Sequence, residues 1–205
     1  MENVKIIDTC YIAPEVKIGK NVTIYSNVSI LGESEIGDDV IIMPNTTIEN
    51  CKIGAGTIIK SSYLESSTIG KRCQIGPYSH LRPNCVIGDE CKIGNFVEIK
   101  NSTIGAKTKA NHLAYVGDAD VVKDCNIGCG AIFVNYNGNS KARTTVGDNC
   151  FIGSNCNIVA PVNIADKSYI CAGTTLTIDT RPNDFVIGRC RETIKPNRAS
   201  DYLKK

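Results

Sequence analysis

From Ile6 to Leu176 an aliphatic residue returns at every sixth position, often with glycine straight after it. Representative stretches are Ile18-Gly19-Lys20-Asn21-Val22-Thr23, Ile87-Gly88-Asp89-Glu90-Cys91-Lys92 and Ile152-Gly153-Ser154-Asn155-Cys156-Asn157. Among these rung starts only Ala110 and Phe133 are not Ile, Leu or Val. A period of six fits neither a helix at 3.6 nor a strand at 2.0. It fits a hexapeptide solenoid, in which three short strands make one triangular coil and each coil buries its inner surface on the next. The expected fold is an all-β parallel β-helix over residues 1–180, with almost no helix. The first side carries Ile18, Ile36 and Ile87, the second Ile24, Ile42 and Ile93, and the third Ile30, Ile48 and Ile99.

Departures from the rhythm carry information of their own. Glycine after a rung start, as at Gly37 and Gly94, marks a corner where the backbone turns and a side chain would be in the way. Pro14, Pro44, Pro77 and Pro83 stand one place later, also at corners. Rungs that lose a residue, such as Ile99 to Ile104 and Val116 to Val121, lose it at a corner, because a deletion within a strand would flip its inward face. Between Phe133 and Val146 the chain spends more than twice the usual number of residues, which sends 134–145 out of the coil as a loop. In solenoids such loops often form the binding face. After Thr180 the rhythm ends. The tail, 181–205, is expected to cap the last coil or to contact a neighbouring subunit, because an open coil end is an unprotected sheet edge.

Composition narrows the class. A 205-residue chain that is 42% hydrophobic supports one elongated domain. A net charge of +2 gives no electrostatic case for nucleic acid or a membrane as partner. Met1 leads through Glu2-Asn3-Val4-Lys5 directly into a rung, with no basic leader and no apolar run of spanning length, so the expected location is cytoplasmic. Eleven cysteines fit a reducing compartment. Cys10, Cys73, Cys85, Cys91, Cys125, Cys150 and Cys156 fall four places after a rung start, where the chain otherwise places Val, Thr or Ser, and are expected as small packed thiols. With no Cys-x2-Cys pair and only two histidines, no metal site is expected. Cys73 and Cys91 should stack at about the 4.8 Å strand spacing, close enough for a disulfide under oxidation.

Positions one coil apart lie above each other, so register alone predicts columns. Arg82 and Lys100 each follow a third-side rung start and should share a corner, about one strand spacing apart. Two cations so close repel unless an anion lies between them, and a phosphate is the usual resident. Two solvated surface charges are the plainer alternative. A second column holds Asn95, His112, Cys129, Ser154 and Ala172, each two places after a second-side start. His112 follows a rung start shrunk to Ala110, as if the core were adjusted for a site, and is a candidate general base; a structural histidine is the alternative. His80 has no comparable company and is expected as a surface residue.

From Gly76 to Arg189 the sequence resembles the C-terminal acetyltransferase domain of bacterial bifunctional UDP-N-acetylglucosamine pyrophosphorylase/glucosamine-1-phosphate acetyltransferases. The words that carry the resemblance include Leu81-Arg82-Pro83, Gly94-Asn95-Phe96-Val97-Glu98-Ile99-Lys100 and Lys109-Ala110-Asn111-His112-Leu113-Ala114-Tyr115-Val116-Gly117-Asp118-Ala119. Asn126-Ile127-Gly128-Cys129-Gly130, Asn135-Tyr136-Asn137-Gly138, Val159-Ala160-Pro161-Val162 and Ala172-Gly173-Thr174-Thr175 extend it. The resemblance implies a left-handed parallel β-helix, a homotrimer with sites between subunits, and acetyl-CoA as co-substrate with no metal required. It implies His112 as general base. Arg82 and Lys100 would bind the phosphate of an amino sugar phosphate, with Tyr115, Asn126 and Lys141 on the sugar. Cys129, Asn135, Tyr136, Ser154, Ala172 and Arg189 would line the acetyl-CoA site, Arg189 coming from a neighbouring subunit. Glu98 is a candidate orienting partner.

Three departures stand beside the match. The nucleotidyltransferase domain is missing, which points to a separate nucleotidyltransferase as partner. Cys129 stands where the family usually has alanine, and the first 68 residues carry few family words. Another amino acceptor, such as a nucleotide sugar or an amino acid, and a non-catalytic scaffold are the competing readings. An amino-acid succinyltransferase would not need the Arg82/Lys100 corner, and a scaffold would leave His112 unexplained.

Overall fold

The computed structural model describes residues 3–201 and 203; the rest of the tail end, Tyr202, Lys204 and Lys205, lies outside them. The chain is a parallel β-solenoid of about ten turns. Its first side stacks strands from Lys17–Ile18 to Val162–Ile164, its second from Lys5–Ile6 to Phe185–Val186, and its third from Tyr11–Ile12 to Thr175–Leu176. Register partners are 18 residues apart where every rung is complete, as in Lys17↔Glu35, and 17 or 16 where a corner has lost a residue. No described helix is long and apolar enough to cross a membrane.

The rung starts form the core. Ile24, Ile30, Ile42, Ile48, Ile75 and Ile93 are completely buried, and Phe133 fills the equivalent place beside the loop. Each such side chain contributes roughly 1.5–3 kcal/mol by leaving water. The second inward slot, where cysteine recurs, asks for more than small size. Ser79 donates its hydroxyl to Gly94 O at 2.6 Å, Cys73 its thiol to Gly88 O at 3.1 Å, and Cys91 to Gly105 O at 3.1 Å. A buried donor in this slot satisfies a corner carbonyl of the next coil that the ladder leaves over. Cys73 and Cys91 therefore sit in register as two free thiols, each aimed at the coil above. Burial pushes the Cys91 thiol up to about 12 and Cys51 to about 11.

A side chain after the rung start would indeed be in the way at these corners. The left-handed residue is the one three places after the rung start, Asn21 (φ 57°) or Asp39 (φ 58°), rather than the glycine. Asn and Asp tolerate that conformation best after glycine. Gly37 is required for closeness instead: a Cβ there would lie 2.8 Å from Ala55 N.

The stack also continues past Thr180. Arg181-Pro182-Asn183-Asp184 makes a turn closed by Arg181 N donating to Asp184 Oδ2 at 2.8 Å, and Phe185–Val186 then pairs with Tyr169–Ile170. Phe151, Tyr169 and Phe185 stack up the outside of the second side at 4.6 and 5.1 Å. This extra strand was hidden because the turn replaces a rung. The exposed segment beyond it ends in a 3₁₀ turn at Ala199–Asp201.

Candidate active site

Two neighbouring strands differ from the two- and three-residue strands around them. Lys92–Lys100 and Lys109–Gly117 each run nine residues through the corner between the second and third sides, and they pair along their length. The sequence permits this approach because a Cβ on Gly94 would meet Asn111 O at 1.9 Å. Small Ala110 replaces the usual isoleucine in register with Ile93.

At this corner Asn95 is the register partner of His112, and its Oδ1 lies 2.9 Å from His112 Nδ1. An amide oxygen only accepts, so Nδ1 carries the proton and Nε2 presents the lone pair. The imidazole is exposed. The next corner position holds Tyr78, Phe96 and Leu113 on successive coils, at φ 58°, 59° and 36°. Elsewhere along this corner the slot takes Asn27, Asn45, Ser61, Gly130, Asn155 or Gly173. Bulky residues there cost on the order of 1–2 kcal/mol each, yet all three are exposed, at 62%, 58% and 58%. Tyr78 and Phe96 stack at 5.6 Å.

The opposite edge of the third side is cationic. Arg82 and Lys100 follow register partners Leu81 and Ile99, as expected. Arg82 Nη1 donates to Glu98 Oε1 at 3.0 Å, which lays the guanidinium back over the face. Lys100 Nζ donates to Asp118 Oδ2 at 3.4 Å, with the lysine side chain only 19% exposed. Each cation thus has its own carboxylate. The loop adds a third: the antiparallel bridge Tyr136–Lys141 folds the chain back, and Lys141 is held below its ordinary range by the Lys100 ammonium beside it. Lys100 is raised by its pairing with Lys141 and, against its burial, by Asp118. Three cations face two carboxylates, and an added anion would relieve the Lys100–Lys141 repulsion.

Asp118 links this corner to the loop. It is 6% exposed and accepts from Asn101 Nδ2 at 2.5 Å, from Lys100, and from Asn135 Nδ2 in a short bond. Burial alone would push its carboxyl up; Asn101, Asn135 and Lys100 more than offset this and hold it below the ordinary range. Asn135 Nδ2 also lies 3.5 Å from Tyr115 OH, so the start of the loop covers the third-side face. The loop's far end is pinned by Arg143, which donates to Asp120 at 2.6 and 2.7 Å and to Asn101 O at 2.9 Å.

The remaining predicted residues divide. Cys129, Ser154 and Ala172 continue the His112 column toward the C-terminal end, all exposed. Arg189 Nη1 donates to Ala172 O of its own chain at 3.0 Å. Tyr136 stands exposed on the loop, its hydroxyl 2.5 Å from Gly138 O. Asn126 is elsewhere: it lies on the second side between Lys109 and Phe151 and lines a separate concavity of about 440 Å³ with Lys92, Lys107 and Asp124. Within one protomer it does not share the face of Tyr115.

Two side chains near the site have partners that spacing did not assign. Glu98, the candidate orienting partner, holds Arg82, while Asn95, which was given no such task, lies against His112. His80 is not a bare surface residue, because its Nε2 lies 3.2 Å from Glu65 Oε1 and its ring packs 5.1 Å from Tyr63. Sequence reasoning also passed over Asp118, Asn101 and Arg143. Asp118 was detectable as the polar residue at the corner of the shortened Val116–Val121 rung.

Comparison with known proteins relates the chain to hexapeptide-repeat proteins. The model for "Bacterial transferase hexapeptide (six repeats)" matches residues 33–62 and 66–101, and that for the hexapeptide repeat of succinyl-transferase matches 143–177. The chain is 46% identical over 199 residues to the bifunctional protein GlmU of Geobacillus sp. (strain WCH70), covering 96% of this chain and 43% of that protein. It is 47% identical over 197 residues to GlmU of Clostridioides difficile (strain 630), at 95% and 43% coverage. The chain carries hexapeptide repeats and is homologous to these GlmU proteins. It spans less than half the length of the curated relatives it matches and corresponds to their C-terminal region. Among solved structures it resembles LpxA, a UDP-N-acetylglucosamine acyltransferase from Bacteroides fragilis 9343, with a TM-score of 0.51 at 22% identity, covering 84% of this chain and 67% of that one. That likeness concerns the fold.

Proposed function

We propose that this hexapeptide-repeat protein transfers the acetyl group of acetyl-CoA to the amine of an amino sugar phosphate, with glucosamine-1-phosphate as the acceptor. The observation that carries the reading is the placement of an oriented imidazole and a net positive corner at the two edges of one face. His112 Nε2 takes the proton as the amine nitrogen attacks the thioester carbonyl, and the coenzyme A thiolate leaves. Arg82, Lys100 and Lys141 receive the phosphate, and Tyr115 lies under the sugar ring. The column Cys129, Ser154 and Ala172, with Asn135, Tyr136 and Arg189, takes the acetyl donor. The two substrates meet at His112, where holding them together supplies the proximity contribution.

A second copy completes the site in this reading. Asn126 lies around the corner from Tyr115, so one ligand touches both only where two protomers meet. The exposed strip of Tyr78, Phe96 and Leu113 is the surface such a neighbour would cover, and a homotrimer is the assembly proposed. The protein works in the reducing cytoplasm, where its thiols stay free.

The test is thiol release from acetyl-CoA with glucosamine-1-phosphate against glucosamine. Acetylation of the phosphorylated sugar at far lower KM supports the reading; equal use of the two removes the phosphate corner from it.

A further inference from the structure

The buried carboxylate between the cation corner and the loop has no place in that mechanism, yet more donors converge on it than on any carboxylate already assigned to the site. We propose that Asp118 is a positioning residue that couples the two substrate sites, so that the sugar phosphate and coenzyme A each bind more tightly when the other is present. The inference rests on the proposed function, because it assumes a phosphate at Lys100 and an acetyl donor beside Asn135.

Asp118 has two carboxylate oxygens and three side-chain donors: Lys100 and Asn135 on Oδ2, Asn101 on Oδ1. Lys100 is the longest of these contacts, at 3.4 Å, and its other neighbour is a cation, Lys141. A phosphate entering between the two lysines draws Lys100 away from Oδ2 and stabilises both ammonium charges. The carboxylate is buried, so water does not replace the lost donor, and its charge falls more fully on Asn135 and Asn101. Asn135 stands at the base of the loop, directly after the Ile132–Val134 strand. Its side chain fixes the loop to the coil, its carbonyl accepts from Ala142 N at 2.9 Å, and its amide lies against Tyr115. Tightening Asn135 therefore orders the segment proposed to hold the acetyl donor before that donor arrives. By linkage the acetyl donor returns the same factor to phosphate binding.

The backbone puts Asp118 in a position to do this. It occupies a left-handed corner (φ 50°), its N–H donates to Lys100 O at 2.9 Å, and its carbonyl accepts from Thr144 N at 3.1 Å. The residue thus joins the coil that carries Lys100, its own coil, and the strand where the loop returns. A purely structural carboxylate would stabilise all three without responding to ligand.

Calorimetry with glucosamine-1-phosphate and unacetylated coenzyme A tests the coupling without turnover. In the wild-type protein, saturating sugar phosphate should tighten coenzyme A about tenfold, and the reverse titration should show the same factor. Asp118→Asn should bind each ligand singly but reduce the factor to below about twofold. Its KM for each substrate should then cease to fall as the other is raised. Equal coupling in wild type and Asp118→Asn, or no coupling in wild type that binds both, overturns the proposal. Hydrogen exchange on the wild type gives a second readout should the variant not fold. Sugar phosphate alone should slow exchange at Ala142, and unchanged exchange with phosphate bound overturns the proposal as well. Failure of the wild type to bind either ligand overturns the proposed function itself, an outcome distinct from binding without coupling.

Discussion

At the corner between the second and third sides, the side chain at position 95 selects which nitrogen of His112 presents its lone pair. Replacing His112 by Ala should lower turnover roughly 10²- to 10⁴-fold while leaving acetyl-CoA affinity nearly unchanged. Asn95→Ala keeps the imidazole but frees its ring, and a loss of about tenfold, within the range for small misplacements, is expected in kcat alone. Steady-state kinetics beside direct binding separates these outcomes, and wild-type turnover in His112→Ala would make the histidine structural. On the opposite edge, Arg82→Ala and Lys100→Ala should each raise the acceptor KM by the equivalent of about 1.5–3 kcal/mol. The double variant should fall short of the sum, since one phosphate bridges both. Cys129 offers a check that needs no turnover. Of eleven free cysteines Cys129 and Cys190 are exposed, so iodoacetamide should mark these two first by mass spectrometry, and coenzyme A should slow only Cys129. Equal protection of Cys190 would count against the acetyl-donor column. These columns were legible because they depend on register alone. Asn95 was placed in the column but not given its task, since a hydrogen bond between side chains depends on rotamers that spacing does not encode.

At the level of elements, the long spacing between Phe133 and Val146 announced the loop, while its anchoring was not legible. Arg143 and its partner Asp120 are 23 residues apart, and an insertion removes the constant separation from which partners are read elsewhere. That anchor bears on any attempt to shorten the loop. Deleting 137–142 while keeping Arg143 should preserve the β signal in circular dichroism and abolish acetyl transfer, because Lys141 is lost from the cation corner. Extending the deletion through Arg143 should cost about 1 kcal/mol more, charge-assisted bonds discounted for partial exposure, read as a lower urea midpoint. Full activity in the shorter deletion would show the loop to be decoration. The extra strand Phe185–Val186 was missed for a related reason: Arg181-Pro182-Asn183-Asp184 breaks the six-residue count, and a strand of two residues has no periodicity of its own.

For the whole molecule, the exposed strip of Tyr78, Phe96 and Leu113 leads to an expectation about assembly. Light scattering should give the mass of three chains. Leu113→Asp should shift it toward one chain and lower turnover together, since the proposed site lies between copies and a charge in a desolvated interface is costly. A monomer retaining activity would defeat that arrangement. Fold class was legible throughout because one six-residue rule repeats; the assembly was not, because nothing in a repeat distinguishes an outer surface that meets water from one that meets a copy. The same rule also governs how the chain reaches its structure. Strand partners lie 18 or 17 residues away at almost every level. In a chain of 205 residues this corresponds to a relative contact order of about 0.08, a value typical of helical bundles rather than β-sandwiches. A wholly β protein is thereby spared the long closures that slow other sheets. Each finished coil is the template for the next, so the chain is suited to zip upward while its far end is still being synthesised, and to fray coil by coil when it denatures.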